Sequence, residues 1–148
     1  MALRLSTGLR TAMLGGTGGI KDLMTNGVMD IFTGSQPVSA DYVETGVKLV
    51  RISSTSGTGV ADGLKFGTAA AGVLPIGTPA WTGPVLAAGV AGWFRFYGSG
   101  GISGTNGTAL RFDGAVGIAG AELDLTHTNL ALNSLLTITA ANITQPAE

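Results

Sequence analysis

The sequence predicts an all-β domain: a two-sheet antiparallel β-sandwich of jelly-roll type, with about eight strands, preceded by a short helical arm. Three observations carry that prediction. Turn-forming glycines and prolines recur at short intervals from Gly27 onward, among them Gly34, Pro37, Gly46, Gly57, Gly59, Gly63, Gly72, Pro75, Pro79 and Gly83. The segments between them alternate apolar and polar residues with period two. No long helical segment separates them, which argues against a parallel α/β sheet. An immunoglobulin-like sandwich is the alternative, and the absence of cysteine does not exclude it. The chain divides into an arm, residues 1–26, and a single β body, residues 27–148.

The arm is helical by spacing. In "LRLSTGLRTAML", Leu5, Leu9, Met13 and Leu14 fall on one face of a short helix, and Ser6 or Thr7 can cap its start. "GGTGG" then reads as a hinge before a second helical piece, "IKDLMTN". The same glycines mimic the start of a phosphate loop. However, Ile20 replaces the second glycine, Asp22 replaces the magnesium-binding Ser or Thr, and no strand precedes the loop. The stripe of Leu5, Leu9, Met13 and Leu14 covers either the arm's own body or a neighbouring subunit.

The strands follow in order. "VMDIFTG" sets Val28, Asp30 and Phe32 against Met29 and Ile31. "GVKLVRISS" sets Val47, Leu49 and Arg51 against Lys48, Val50 and Ile52. "GLKFGTA" turns Leu64 and Phe66 inward and Lys65 outward. "PAWTGPVLA" is irregular, because Pro79 and Pro84 force an edge or a break. "AGWFRFYG" turns Phe94 and Phe96 inward and Trp93, Arg95 and Tyr97 outward. "TALRFDG" turns Leu110 and Phe112 inward and Arg111 and Asp113 outward. "AELDLTH" buries Leu123 and Leu125, and "SLLTITAANIT" sets Leu136, Ile138 and Ala140 against Leu135, Thr137 and Thr139. The result is one apolar and one solvated face per sheet.

Composition narrows the function. Charged residues are 11% of the chain and the net charge is −1, so no basic stripe offers a footprint for nucleic acid and no polybasic patch invites a membrane. So little charge leaves an exterior either of Thr, Ser and Gly or covered by other subunits. With no cysteine, disulfides and thiolate-bound metals are excluded. No cofactor or metal motif is present. The one histidine, His127, lacks a nucleophile elbow and reads as a turn residue. Glu122 and Asp124 share a strand face, compatible with an acid pair or a calcium site but simplest as solvated charge. No catalytic residue is assigned, and the chain reads as a non-enzyme. The outward row Trp93, Arg95 and Tyr97 is a candidate contact surface, for protein or for a sugar ring, because these residue types dominate binding hot spots. Trp81 either caps the core or anchors a loop.

Along "LSTGLRTAMLGGTGGIKDLMTNGVMDIFTGSQP", "GTAAAGVLP", "AGWFRFYG" and "TALRFDGAVG", from about Leu5 to about Leu136, the chain resembles tailed-bacteriophage virion structural proteins. It is most similar to the jelly-roll cement, or decoration, proteins of phage heads. That resemblance implies a protein made in the bacterial cytoplasm and placed on the outer surface of the capsid. There it would form a homodimer or small oligomer clamped across units of the major capsid protein. A tail, connector or fibre component, or a carbohydrate-binding module, is the alternative. The candidate interface residues are Leu5, Leu9, Met13, Leu14, Trp81, Trp93, Arg95 and Tyr97.

Overall fold

A computed structural model describes residues 3–53, 63–77, 80–100 and 103–144. The turns expected at Gly57 and Gly59, the end of one strand at Ser54 and the break at Pro79 lie outside the described residues.

The arm forms a short strand, β1 (Arg4–Leu5), and two helices, α1 (Thr7–Leu14) and α2 (Ile20–Met24), joined through the glycine hinge. Ser6 is the N-cap of α1, and its hydroxyl accepts the Leu9 N–H at 3.1 Å. The same hydroxyl donates to the Ala109 carbonyl at 2.6 Å and accepts the Arg111 N–H at 3.2 Å. One buried serine therefore starts the helix and ties it to the body. Gly8 allows the close approach, since a Cβ there would sit 2.3 Å from the Thr108 carbonyl oxygen. The choice left open by the amphipathic stripe is thus resolved toward the chain's own body: Leu9 is fully buried in the common core, with Met13 and Leu5 packed against it. Leu14 departs from the stripe. It ends α1 and is 91% exposed.

The body is all-β and largely antiparallel. Its strands are β2 (Val28–Thr33), β3 (Lys48–Ile52), β4 (Val73–Pro75), β5 (Trp81–Pro84), β6 (Gly89–Tyr97), β7 (Arg111–Gly117), β8 (Leu123–Asp124), β9 (Asn129–Leu130), β10 (Leu135–Ile138) and β11 (Asn142–Thr144). The main sheet runs β1-β7-β6-β2-β3, with β8 parallel beside β7 and β9 beside the start of β6. Two smaller ladders, β10–β5 and β11–β4, complete the fold. A bridge between Val50 and Val85, and a bond from the Leu86 N–H to the Leu49 carbonyl at 2.7 Å, bring β5 along β3. "GLKFGTA" is not a strand. It makes single bridges at Leu64 and Phe66, which do point inward as expected. "SLLTITAANIT" breaks into β10 and β11, which pair with different partners.

Register decides what each face of the main sheet presents. Leu5, Phe112, Phe96, Met29 and Ile52 form one row across it, and Gly114, Phe94, Ile31 and Val50 form the next. Leu64, Phe66, Leu74, Trp81, Leu123, Leu125 and Ile138 belong to the same core cluster, as do Leu9 and Met24 from the arm. Phe96 stacks on Phe112 at 5.2 Å, and Phe66 and Trp81 lie within 5.5 Å of it. Burying each such side chain contributes about 1.5–3 kcal/mol, so this is the principal hydrophobic core. A β-bulge opposite Phe32 makes Leu49 the extra residue. The phase of β3 shifts there, and Lys48 joins the face of Arg51, not that of Val50 and Ile52 as strict alternation predicts.

Candidate functional site

The opposite face of the main sheet carries charge. Arg4, Asp113, Arg95, Asp30 and Arg51 lie in register, one from each strand, alternating in sign across β1, β7, β6, β2 and β3. The Arg95 guanidinium grips Asp113 through two bonds of 2.6 and 2.7 Å, and Arg51 grips Asp30 through two of 2.7 Å. Lys48 adds a second cation to Asp30 at 2.8 Å. A one-residue slip of any strand would carry its charge to the apolar side, so the row also enforces register.

Over β6 and β7 this face is not solvated, whereas Lys48 and Arg51 on β3 reach water. Trp93, Arg95, Arg111 and Asp113 have no exposed surface, and Tyr97 is 2% exposed. The expectation that Trp93, Arg95 and Tyr97 form an exposed row, with Arg111 and Asp113 outward, is therefore corrected. The cause is the β2–β3 connection, residues 34–47. It joins two adjacent antiparallel strands, yet it folds back over the sheet as a strap instead of closing a tight hairpin.

The strap is held by its own carbonyl groups. Arg4 donates to Pro37, Arg111 Nε to Ala40 at 2.5 Å, Arg95 Nη1 to Tyr42 at 2.8 Å, and the Trp93 indole to Thr45 at 3.2 Å. These bonds satisfy donors on the sheet face that would otherwise be buried unpaired. The Asp41 carboxylate accepts the Thr7 N–H at 2.8 Å and its hydroxyl at 2.6 Å, tying the strap to the first turn of α1. The Asn106 N–H donates to the Asp41 carbonyl at 2.8 Å and ties it to the loop before β7. Burial raises the pKa of Asp41, but the two Thr7 bonds, followed by the charges of Arg111 and Arg10, bring it below its ordinary value.

Glu44 is the hub. Its carboxylate accepts the Tyr97 hydroxyl at 2.7 Å, the Gly104 N–H at 3.0 Å and Arg95 Nη1 at 3.1 Å, with Arg111 Nη1 at 3.9 Å. Burial works to raise its pKa. The Tyr97 hydroxyl, backbone N–H groups and Arg95 outweigh it and bring the carboxyl down to about 2. The Tyr97 hydroxyl is pushed up, by burial first and then by donating to an anion. Burial acts against the charge on Arg95, but its bidentate bond to Asp113 overrides this and raises its pKa. Arg111 moves down, through burial and repulsion from Arg95. Arg95 also lies 5.5 Å over the Trp93 ring, and Trp93 stacks on Phe32 at 4.5 Å.

The other sequence candidates lie apart from this network. Trp81 is 3% exposed on the apolar side, where its indole donates to the Lys65 carbonyl at 2.9 Å; it caps the core and anchors that segment at once. The Glu122 carboxylate accepts the Ala115 N–H, and Asp124 accepts those of Gly120 and Ala121, so both acids brace the β7–β8 turn. His127 is exposed beside the Thr126 hydroxyl at 3.1 Å. The Asp22 carboxylate accepts the Gly19 N–H at the start of α2, where the phosphate-loop pattern would need a metal-binding hydroxyl.

Sequence reasoning missed Glu44, Asp41 and the pairing role of Asp30. Two signals were available: a connection of this length between neighbouring strands is long for a hairpin, and charges of opposite sign sit at matching depths in four segments. Outside this network, Arg10, Lys21, Asp22, Lys65 and Asp124 are exposed charges, and large apolar side chains are exposed as well. On the strap itself Val38, Tyr42, Val43 and Val47 are 79%, 52%, 53% and 57% exposed. No family model, no curated protein sequence and no solved structure matches this chain.

Proposed function

We propose that this chain is a structural component of a tailed-phage virion, a jelly-roll cement protein. It would sit on the outside of the head, as a homodimer or small oligomer, and clamp neighbouring units of the major capsid protein. It performs no reaction.

One observation carries this reading: four charged side chains are withdrawn into the interior while several large apolar side chains stand in solvent. Asp30, Arg95, Arg111 and Asp113 are spent in the interior, while Leu14, Val38, Val90 and Ile118 stand 91%, 79%, 59% and 69% exposed. Buried charges are costly and rare, and large apolar side chains left outside favour contact with other protein. Such a surface suits a molecule that works by being covered. The likeness to phage virion proteins in "GGTGG", "GSQP" and "AGWFRFYG" supports the same reading. Binding the assembled shell and not its dissociated parts stabilises the shell by mass action, in the amount RT ln(1 + [L]/Kd) per site.

The test is reconstitution. Heads stripped of this chain should swell or leak on heating and recover their resistance when it is added back. Recovery of the chain with detached tails alone would assign it to the tail instead.

A further inference from the structure

The strap meets the sheet through a surface unlike the rest of the interior. Beneath it lie the Arg95–Asp113 pair, Arg111, Tyr97 and the Trp93 indole, each bonded to the strap or to its neighbour. Separating two apolar surfaces exposes hydrocarbon to water with nothing gained in return. Separating this surface returns several ions to water, and that hydration offsets much of the lost pairing. Lifting the strap therefore costs less than the loss of its pairing alone implies.

The strap's two ends are built to turn. Gly34 and Gly46 have φ of +78° and +81°, in the left-handed region that other residues avoid. Gly46 is also packed so closely on β2 that a Cβ would sit 2.2 Å from the Thr33 carbonyl oxygen. Between these points Glu44 joins the strap to both β6 and the 103–109 loop, through Tyr97, Arg95 and Gly104.

We propose that residues 34–47 are a releasable strap, hinged at Gly34 and Gly46 and latched by Glu44, that lifts from the charged face while the apolar core stays closed. Lifting uncovers Trp93, Arg95 and Tyr97. The strap is thus a local opening unit, distinct from global unfolding. The inference stands on the strap's own bonds and not on the virion reading.

The chain holds its own paired reporters, because it has two tryptophans. The Trp93 indole N–H is bonded to the strap and the Trp81 indole N–H to Lys65 on the apolar side. The experiment is hydrogen exchange of these two protons by NMR in the full chain, with Glu44→Gln as the test variant. The expected result is exchange at Trp93 faster by about tenfold or more, with Trp81 unchanged within about twofold, since only a local opening is eased. Tyr97→Phe, which removes one donor to Glu44, should move Trp93 in the same direction by less. Equal acceleration at both indoles would overturn the proposal, because the strap would then open only with the whole domain. No change at either would overturn it too, as would failure of both variants to fold.

Discussion

The two faces of the main sheet are made by the same strands, yet they are closed by different physics. On one, Phe96, Phe112, Phe66 and the Trp81 ring exclude water chiefly by contact, and neighbours of similar shape could replace one another. On the other, Arg95, Arg111 and Trp93 each donate to a particular carbonyl of the strap, and Glu44 gathers four donors. The first face supplies stability in proportion to area. The second supplies less net energy, because desolvating its charges offsets their attraction, but it accepts one register and one covering segment. A sheet with a single hydrophobic side can thus be buried on both sides when a connection brings enough acceptors to the polar one.

That comparison can be broken first on the apolar side. Phe96→Ala should cost about 3–5 kcal/mol, read as a fall in the midpoint of chemical denaturation for the whole domain. Leu9, fully buried at the junction of arm and core, should behave likewise, and Leu9→Asp should prevent stable folding. On the charged side, Asp113→Leu leaves Arg95 buried and uncompensated and should cost about 3–5 kcal/mol. The double replacement Arg95→Met with Asp113→Leu should cost less than Asp113→Leu alone, because it leaves no uncompensated buried charge. Ser6→Ala, which removes the cap of α1, should cost about 1 kcal/mol. Leu14→Asp should leave the denaturation midpoint unchanged, since Leu14 touches solvent and Leu9 does not.

Acid sharpens the contrast further. The folded pKa of Glu44 lies at about 2, below its ordinary 4.5. Its contribution is therefore present above about pH 4.5 and is lost as the pH falls toward 2, where protonation weakens its bonds to Tyr97, Gly104 and Arg95. Stability measured from pH 6 to pH 2 should fall in the native chain, and Glu44→Gln should flatten part of that fall. The apolar face, which has no such group among its aromatic rows, contributes no slope of its own.

How far the fold was legible follows from what period two encodes. It says which residues of one strand share a face: it pairs Met29 with Ile31 and Phe94 with Phe96, and the register of the sheet then brings both pairs to the side of Phe112. It does not say that the other face is wet. Trp93, Arg95 and Tyr97 were read as outward, and they are outward from the core, but residues 34–47 lie over them. Little in "SQPVSADYVET" specifies that return: apart from the Asp41 and Glu44 carboxylates, its bonds use backbone carbonyls that every residue has. The arm was clearer, since a cap at Ser6 and a glycine hinge are local devices. Leu14 departs from that reading because helical spacing gives direction and not depth: Met13, one turn past Leu9, still packs against the core, while Leu14 at the end of α1 stands in solvent.

The account rests on an exterior made for contact with other protein. The most direct measurement is equilibrium co-sedimentation of the purified chain with stripped phage heads, for the native sequence and for a Leu14→Asp, Val43→Asp variant. The predicted result is saturable binding by the native chain and binding weakened at least about tenfold in the variant, with both proteins melting at the same temperature. A native chain that stays in the supernatant as a monomer, with no affinity for heads or any other particle component, would contradict it.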